Sequence, residues 1–98
     1  MKEVESLPDY YRILEVDPQA SKEVIEKAYR ALSLKYHPDK NTSQNREGAA
    51  RKWMEVRKAY EVLSDSTQRA AYDAARRKQM WDVFLSDGII GLAKKYLR

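Results

Sequence analysis

Ser21-Lys22-Glu23-Val24-Ile25-Glu26-Lys27-Ala28-Tyr29-Arg30-Ala31-Leu32-Ser33-Leu34-Lys35-Tyr36-His37-Pro38-Asp39 is the stretch on which the architecture turns. Ile25, Ala28, Leu32 and Tyr36 step by three, four and four, which on a helix puts them in one apolar stripe. Ser21 offers a side-chain oxygen to the unpaired amides of a first turn. Lys22, Lys27, Arg30 and Lys35 lie away from the stripe. Pro38 ends the helix, because its ring clashes with continued helical backbone. The spacing therefore predicts a helix from Ser21 to about Tyr36, closed by a His-Pro-Asp corner.

Working outward, residues 39 to 46 are all polar and read as a solvated loop. Trp53, Val56, Tyr60 and Leu63 then step by three, four and three, predicting a helix from about Glu47 to Leu63. Two amphipathic helices of similar length joined by a polar loop form an antiparallel hairpin with their stripes facing. Upstream, Ser6 can cap a short first helix with Pro8 in its first turn and Asp9 at its positive end. That helix carries Tyr10, Tyr11, Ile13 and Leu14, and Asp17-Pro18 closes the connection. Downstream, Asp65 with Gln68 reads as a capping box for a fourth helix bearing Ala70, Ala71, Tyr72, Ala74 and Ala75. From Gln79 onward large apolar groups dominate: Met80, Trp81, Val83, Phe84, Leu85. Ser86-Asp87-Gly88 is expected to interrupt the helix. A last short helix then sets Ile89, Leu92, Ala93, Tyr96 and Leu97 opposite Lys94, Lys95 and Arg98. Alternating strand patterns are missing, so the fold class is all-α.

At 98 residues one domain is the default. Its expected divisions are a lead-in over 1–6, the domain proper over 7–77, and an apolar helical extension over 78–98. Cysteine is absent, which removes disulfides and thiolate metal sites from consideration. Nineteen Lys and Arg against 15 Asp and Glu give a net charge of +4, which favours an acidic partner of unspecified class. No apolar run approaches the roughly 18 residues of a membrane span, and the charged N-terminus lacks the apolar core of a secretory signal. The expectation is a soluble, monomeric, intracellular domain, cytoplasmic first, with no cofactor and no membrane or nucleic-acid partner.

His37-Pro38-Asp39 is the one feature with chemical potential. Its plainest reading is local: a His at a helix C-terminus, a Pro stop and an Asp turn. An acid–base reading of His37 and Asp39 lacks a nucleophile at a recognisable spacing and a phosphate-binding glycine loop. A metal reading fails because a lone His among scattered carboxylates has no ligand spacing. The stronger rival is a helical DNA-binding module. Against it, the connection is long for a helix-turn-helix, Asp39 sits at its mouth, and Glu47, Glu55 and Glu61 stud the would-be recognition helix.

Context adds weight to the tripeptide. Lys35-Tyr36-His37-Pro38-Asp39-Lys40-Asn41 resembles the signature of the J domains of the DnaJ (heat-shock forty) co-chaperones. Asp9-Tyr10-Tyr11-Arg12-Ile13-Leu14, Lys27-Ala28-Tyr29-Arg30, Lys58-Ala59-Tyr60-Glu61-Val62-Leu63-Ser64-Asp65 and Arg69-Ala70-Ala71-Tyr72-Asp73 are similar to further blocks of that family, in order, over roughly residues 7 to 76. The resemblance implies the J-domain fold and a partner, a DnaK-type (heat-shock seventy) chaperone whose ATP hydrolysis the domain stimulates without supplying a catalytic atom. It implies His37, Pro38 and Asp39 as the trigger: Asp39 paired with a partner Arg, Pro38 fixing the backbone, His37 orienting the loop. Tyr29, Arg30, Lys27 and Lys35 on the second helix are candidate docking residues, with Lys40 and Asn41 beside the tip. For each cation the alternative is an ordinary solvated face. Tyr29 could instead touch the core.

Glu26, Ala31 and Gln68 stand where the family commonly carries basic residues, so docking is expected to be weaker or more partner-selective. The extension lies outside the resemblance. It could pack back on the domain, bind a partner or begin another domain; a membrane-surface helix ranks last. Gly88-Ile89-Ile90-Gly91 spells GxxG, but nucleotide-clamping loops of that form sit in a sheet-containing fold. Neither a Gly/Phe-rich linker nor a Cys-rich segment follows the domain. Binding of client proteins is therefore not visible in this chain: it is either absent or carried by regions outside it.

Overall fold

The computed structural model describes residues 6–40 and 46–89. They form helix α1 (Tyr10–Ile13), α2 (Lys22–Tyr36), a 3₁₀ turn over Pro38–Lys40, α3 (Arg46–Leu63) and α4 (Ser66–Val83), the last running into a π-turn over Phe84–Ile89. There is no strand among the described residues, as the all-α expectation requires. The chain falls into two compact units, Asp9–Arg69 and a second made of the residues up to Pro8 with those from Ala70 onward.

The first unit is the hairpin with α1 against it. Ser21 caps α2, its hydroxyl accepting from the Val24 amide at 3.2 Å. Ile25 and Leu32 of the apolar stripe are buried, and Ala28 and Tyr36 are half-buried. On α3, Ala49, Val56, Ala59 and Leu63 are buried. Tyr11 and Leu14 complete the core, and α1 packs on α3. Each full burial of a Leu, Ile or Val side chain is worth roughly 1.5–3 kcal/mol.

The ring pairs fix the direction of the hairpin. Tyr29 of α2 stacks on Tyr60 of α3, and His37, eight residues on, meets Trp53, seven residues back. Moving forward along α2 means moving backward along α3 by nearly the same rise, so the helices are antiparallel.

Two local devices differ from expectation. The cap of α1 is Asp9 rather than Ser6: its Oδ1 accepts from the Arg12 amide at 3.2 Å, and Pro8 stands before the helix. The α1 exit is a Schellman motif. Val16 N–H donates to the Tyr11 carbonyl at 2.9 Å and Glu15 N–H to the Arg12 carbonyl at 3.0 Å. Glu15 occupies the left-handed position, φ 59°, which glycine fills more cheaply. The Asp17 carboxylate then accepts from the Gln19 amide at 2.7 Å and shapes the turn into α2.

Arg69, in the first turn of α4, fastens this connection. Its Nε donates to the Tyr11 hydroxyl at 3.0 Å, and its Nη2 donates to the carbonyls of Pro18 at 3.1 Å and Ala20 at 2.7 Å. Asp65 caps α4, accepting from the Gln68 amide at 2.8 Å.

In the second unit, the Tyr72 hydroxyl donates to the Pro8 carbonyl at 2.6 Å, and Gln79 Oε1 accepts from the Leu7 amide at 2.7 Å. Ser86-Asp87-Gly88 does not stop the chain's helical course. Instead the helix widens into the π-turn, and the Ser86 hydroxyl donates back to the Asp82 carbonyl. A hydroxyl that engages the carbonyl four residues back competes with the helical ladder. Of the short helix expected from Ile89 to the end, Ile89 closes the π-turn and the rest lies outside the described residues.

Candidate docking tip

His37 is the residue after α2, and its amide still closes the helix on the Ser33 carbonyl at 2.9 Å. Its own backbone is extended, φ −58° and ψ 136°, as the following proline requires. Pro38 opens the 3₁₀ turn with its fixed φ, and that turn throws Asp39 outward. The Asp39 side chain is 87% exposed.

The tip is tied to itself. The Asp39 amide donates to His37 Nδ1 at 3.1 Å. The ring nitrogen accepts here, so the bond ties the His37 side chain to the backbone of the turn it precedes. Asp39 Oδ2 lies 3.7 Å from the same Nδ1, too far for a hydrogen bond. His37 organises the turn.

Behind His37 stands a row of aromatic rings. The imidazole meets Trp53 at 5.7 Å between centroids, tilted by 53°. Trp53 and Tyr29 stack at 6.0 Å, and Tyr29 and Tyr60 at 4.0 Å with planes 8° apart. Such pairs add roughly 0.5–1.5 kcal/mol each beyond burial. Tyr29 is thus a member of the hairpin's aromatic seam, and it keeps one edge at the surface.

That edge helps to line a shallow groove formed by Tyr29, Arg30, Ser33, Leu34, His37 and Asp39. Four of the sequence candidates, Tyr29, Arg30, His37 and Asp39, are brought together there, with Pro38 in the turn beside it. Lys27 is on the same helix face but outside the groove, ion-paired with Glu23 at 3.3 Å. Lys35 is five positions from Arg30, roughly 140° round the helix, with its Nζ 5.4 Å from the Tyr36 ring centroid. The Lys40 side chain and Asn41 lie outside the described residues.

Ser33 and Leu34 were not anticipated. The Ser33 hydroxyl donates to the Tyr29 carbonyl at 2.7 Å, and the Leu34 side chain is 68% exposed at the groove's rim. The available signal was a leucine standing off the stripe of Ile25, Ala28, Leu32 and Tyr36. Trp53 and Tyr60 were read as core alone, although their spacing of seven matches the spacing of eight from Tyr29 to His37 on the antiparallel partner.

A family profile described as the DnaJ domain matches residues 9–73. Among similar curated proteins is the human DnaJ homolog subfamily B member 3, 57% identical over 65 residues, 66% of this chain and 44% of that protein. The mouse DnaJ homolog subfamily B member 8 is 52% identical over 69 residues, 70% of this chain and 30% of that protein. The chaperone protein DnaJ of Staphylococcus aureus (strain JH1) is 55% identical over 65 residues, 66% of this chain and 16% of that protein. The chain spans less than half the length of these relatives.

Proposed function

Since this chain belongs to the DnaJ-domain family, we propose that it docks through the His37-Pro38-Asp39 tip and the adjoining α2 groove on a DnaK-type (heat-shock seventy) chaperone and stimulates its ATP hydrolysis. The observation that carries this reading is the tip itself. Asp39 is held outward by a proline-started turn, and its amide is already satisfied by His37. An exposed carboxylate with a fixed backbone is prepared for a charge-assisted bond to a partner guanidinium, with little ordering left to do on contact.

The division of labour follows from the groove. Asp39 supplies the anion. His37, its ring braced by Trp53, would orient the loop and meet a partner acceptor. Leu34 and the edge of Tyr29 offer apolar contact, and Arg30 steers the approach toward an acidic surface. Lys27 and Lys35, outside the groove, would act through their field, as would Lys40. Asn41 would contact the partner beside the tip. The domain acts as a co-chaperone; the hydrolytic site is the partner's.

Single-turnover ATP hydrolysis by a DnaK-type chaperone tests this. The chain should accelerate hydrolysis, and His37→Gln and Asp39→Asn should each remove most of the acceleration at temperatures where the helical circular dichroism shows the variant folded. Equal stimulation by the original chain and both variants would overturn the reading.

A further inference from the structure

The α2 face that runs back from the docking tip carries a carboxylate with no counterpart. Glu26, Arg30 and Ser33 fall within about 60° of one another round the helix, by the 100° step per residue. Arg30 and Ser33 line the groove with His37 and Asp39, so Glu26 continues that face one turn toward the start of α2. Glu26 is half-buried, yet its side chain makes no ion pair or hydrogen bond among the described residues. Lys22 and Arg30 stand four positions before and after it, the spacing of helical ion pairs, and neither pairs with it.

Three other acids of the hairpin are exposed and already answered. Glu23 is ion-paired with Lys27 at 3.3 Å, Glu55 with Lys52 at 4.0 Å and Glu61 with Lys58 at 3.9 Å. Glu26 differs from them in being both half-covered and unpaired. Along the groove face the charges therefore read negative at Glu26, positive at Arg30 and negative at Asp39. On the free protein, water solvates an unpaired carboxylate. When a partner covers it that water is lost, and the charge opposes docking unless a cation takes the water's place.

We propose that Glu26 is a specificity-determining residue of the docking face, and that the chaperone surface it meets bears a Lys or Arg opposite it. This rests on the docking reading above and gives its selectivity a sign. A partner whose acidic strip answers Arg30 and extends over Glu26 sets like charges against each other and is rejected. A partner whose strip gives way to a cation one helical turn further on is accepted. Of the two outcomes expected from the sequence, weaker or more selective docking, this is the selective one.

The test measures Kd, by fluorescence anisotropy of the labelled full chain, for the original protein, Glu26→Gln and Glu26→Lys. The probe is the ATP-bound DnaK-type chaperone that the original chain stimulates most strongly in a panel of purified ones. Glu26→Gln should weaken binding about fivefold, the scale of a partly exposed ion pair. Glu26→Lys replaces attraction with repulsion and should weaken it about 25-fold, twice that effect on a logarithmic scale. Both differences should shrink between about 50 and 300 mM salt, as screening requires. Helical circular dichroism at the assay temperature verifies that each variant is folded, which is expected because the Glu26 side chain pairs with nothing among the described residues. Unchanged Kd in both variants overturns the proposal, since Glu26 would then be an ordinary solvated acid. Tighter binding by Glu26→Lys overturns it from the other side, because the surface opposite would be acidic. In either case the original chain still stimulates the chaperone and the docking reading stands; a chain that stimulates no member of the panel overturns that reading and this one with it.

Discussion

Arg69 is the residue on which the α1–α2 connection depends, and its removal makes a quantitative prediction. In Arg69→Ala the Tyr11 hydroxyl and the carbonyls of Pro18 and Ala20 lose their guanidinium donor. A hydrogen bond to a charged group contributes about 1.5–3 kcal/mol when shielded. All three bonds here are only part-buried, so water recovers a share of the loss. The guanidinium also lies 5.4 Å from the Tyr11 ring centroid, a contact worth about 0.5–1 kcal/mol at such a site. Taken together the loss should be about 3 kcal/mol. For a domain of this size that lowers Tm by about 12–24 °C, at the usual 4–8 °C per kcal/mol. Arg69→Lys retains the charge but not the planar fork, so one ammonium cannot serve two carbonyls and a hydroxyl in these directions; it should recover less than half of the loss. Urea unfolding followed by circular dichroism measures both. A loss under about 1 kcal/mol in Arg69→Ala, or full recovery in Arg69→Lys, would refute the argument that the fork holds the connection.

Two further outcomes follow from the same structure. Glu15→Gly relieves a left-handed backbone position at the α1 exit and should raise stability by about 0.5–1 kcal/mol, the net of removed steric strain and added chain entropy; denaturant titration reads this, and a destabilisation would mean that the Glu15 side chain matters more than its backbone. Trp53→Ala removes the ring against which His37 and Tyr29 rest and should cost about 2 kcal/mol for a half-buried aromatic, below the range for a fully buried one. Stimulation of the partner's ATPase should fall with it even at temperatures where the variant is folded, whereas Trp53→Phe should keep most of both.

Much of this protein is dictated locally. The apolar steps of three and four along α2 and α3, the Ser21 and Asp65 caps and the Pro38 stop are each settled within one or two turns of chain. Their energies come from near neighbours in sequence, so they are legible there. The polar run after Asp39 and the matched lengths of the two helices made the hairpin legible as well, and the five blocks from Asp9 to Asp73 carried the family.

Distance in sequence marks where legibility ended. Ser6 and Asp9 both suit a helix start, and only the position of the Arg12 amide selects Asp9. The Glu15 exit was invisible because the motif tolerates a residue other than glycine when its bonds hold it. Ser86-Asp87-Gly88 looked like a stop, yet the chain continues into a π-turn in which the Ser86 hydroxyl bonds back to the Asp82 carbonyl. Arg69 had no recognisable role until the fold carried Tyr11, Pro18 and Ala20, some fifty residues away or more, to its guanidinium. The row from Tyr60 through Tyr29 and Trp53 to His37 depends on the rotation of one helix against the other, a quantity no single helix contains. Helix and turn chemistry is therefore a property of the amino-acid sequence alone, while the bracing of the tip and the choice of groove residues belong to the packing of α2 on α3, because ring stacking and side-chain hydrogen bonds act only between groups that the fold has already brought within a few ångströms.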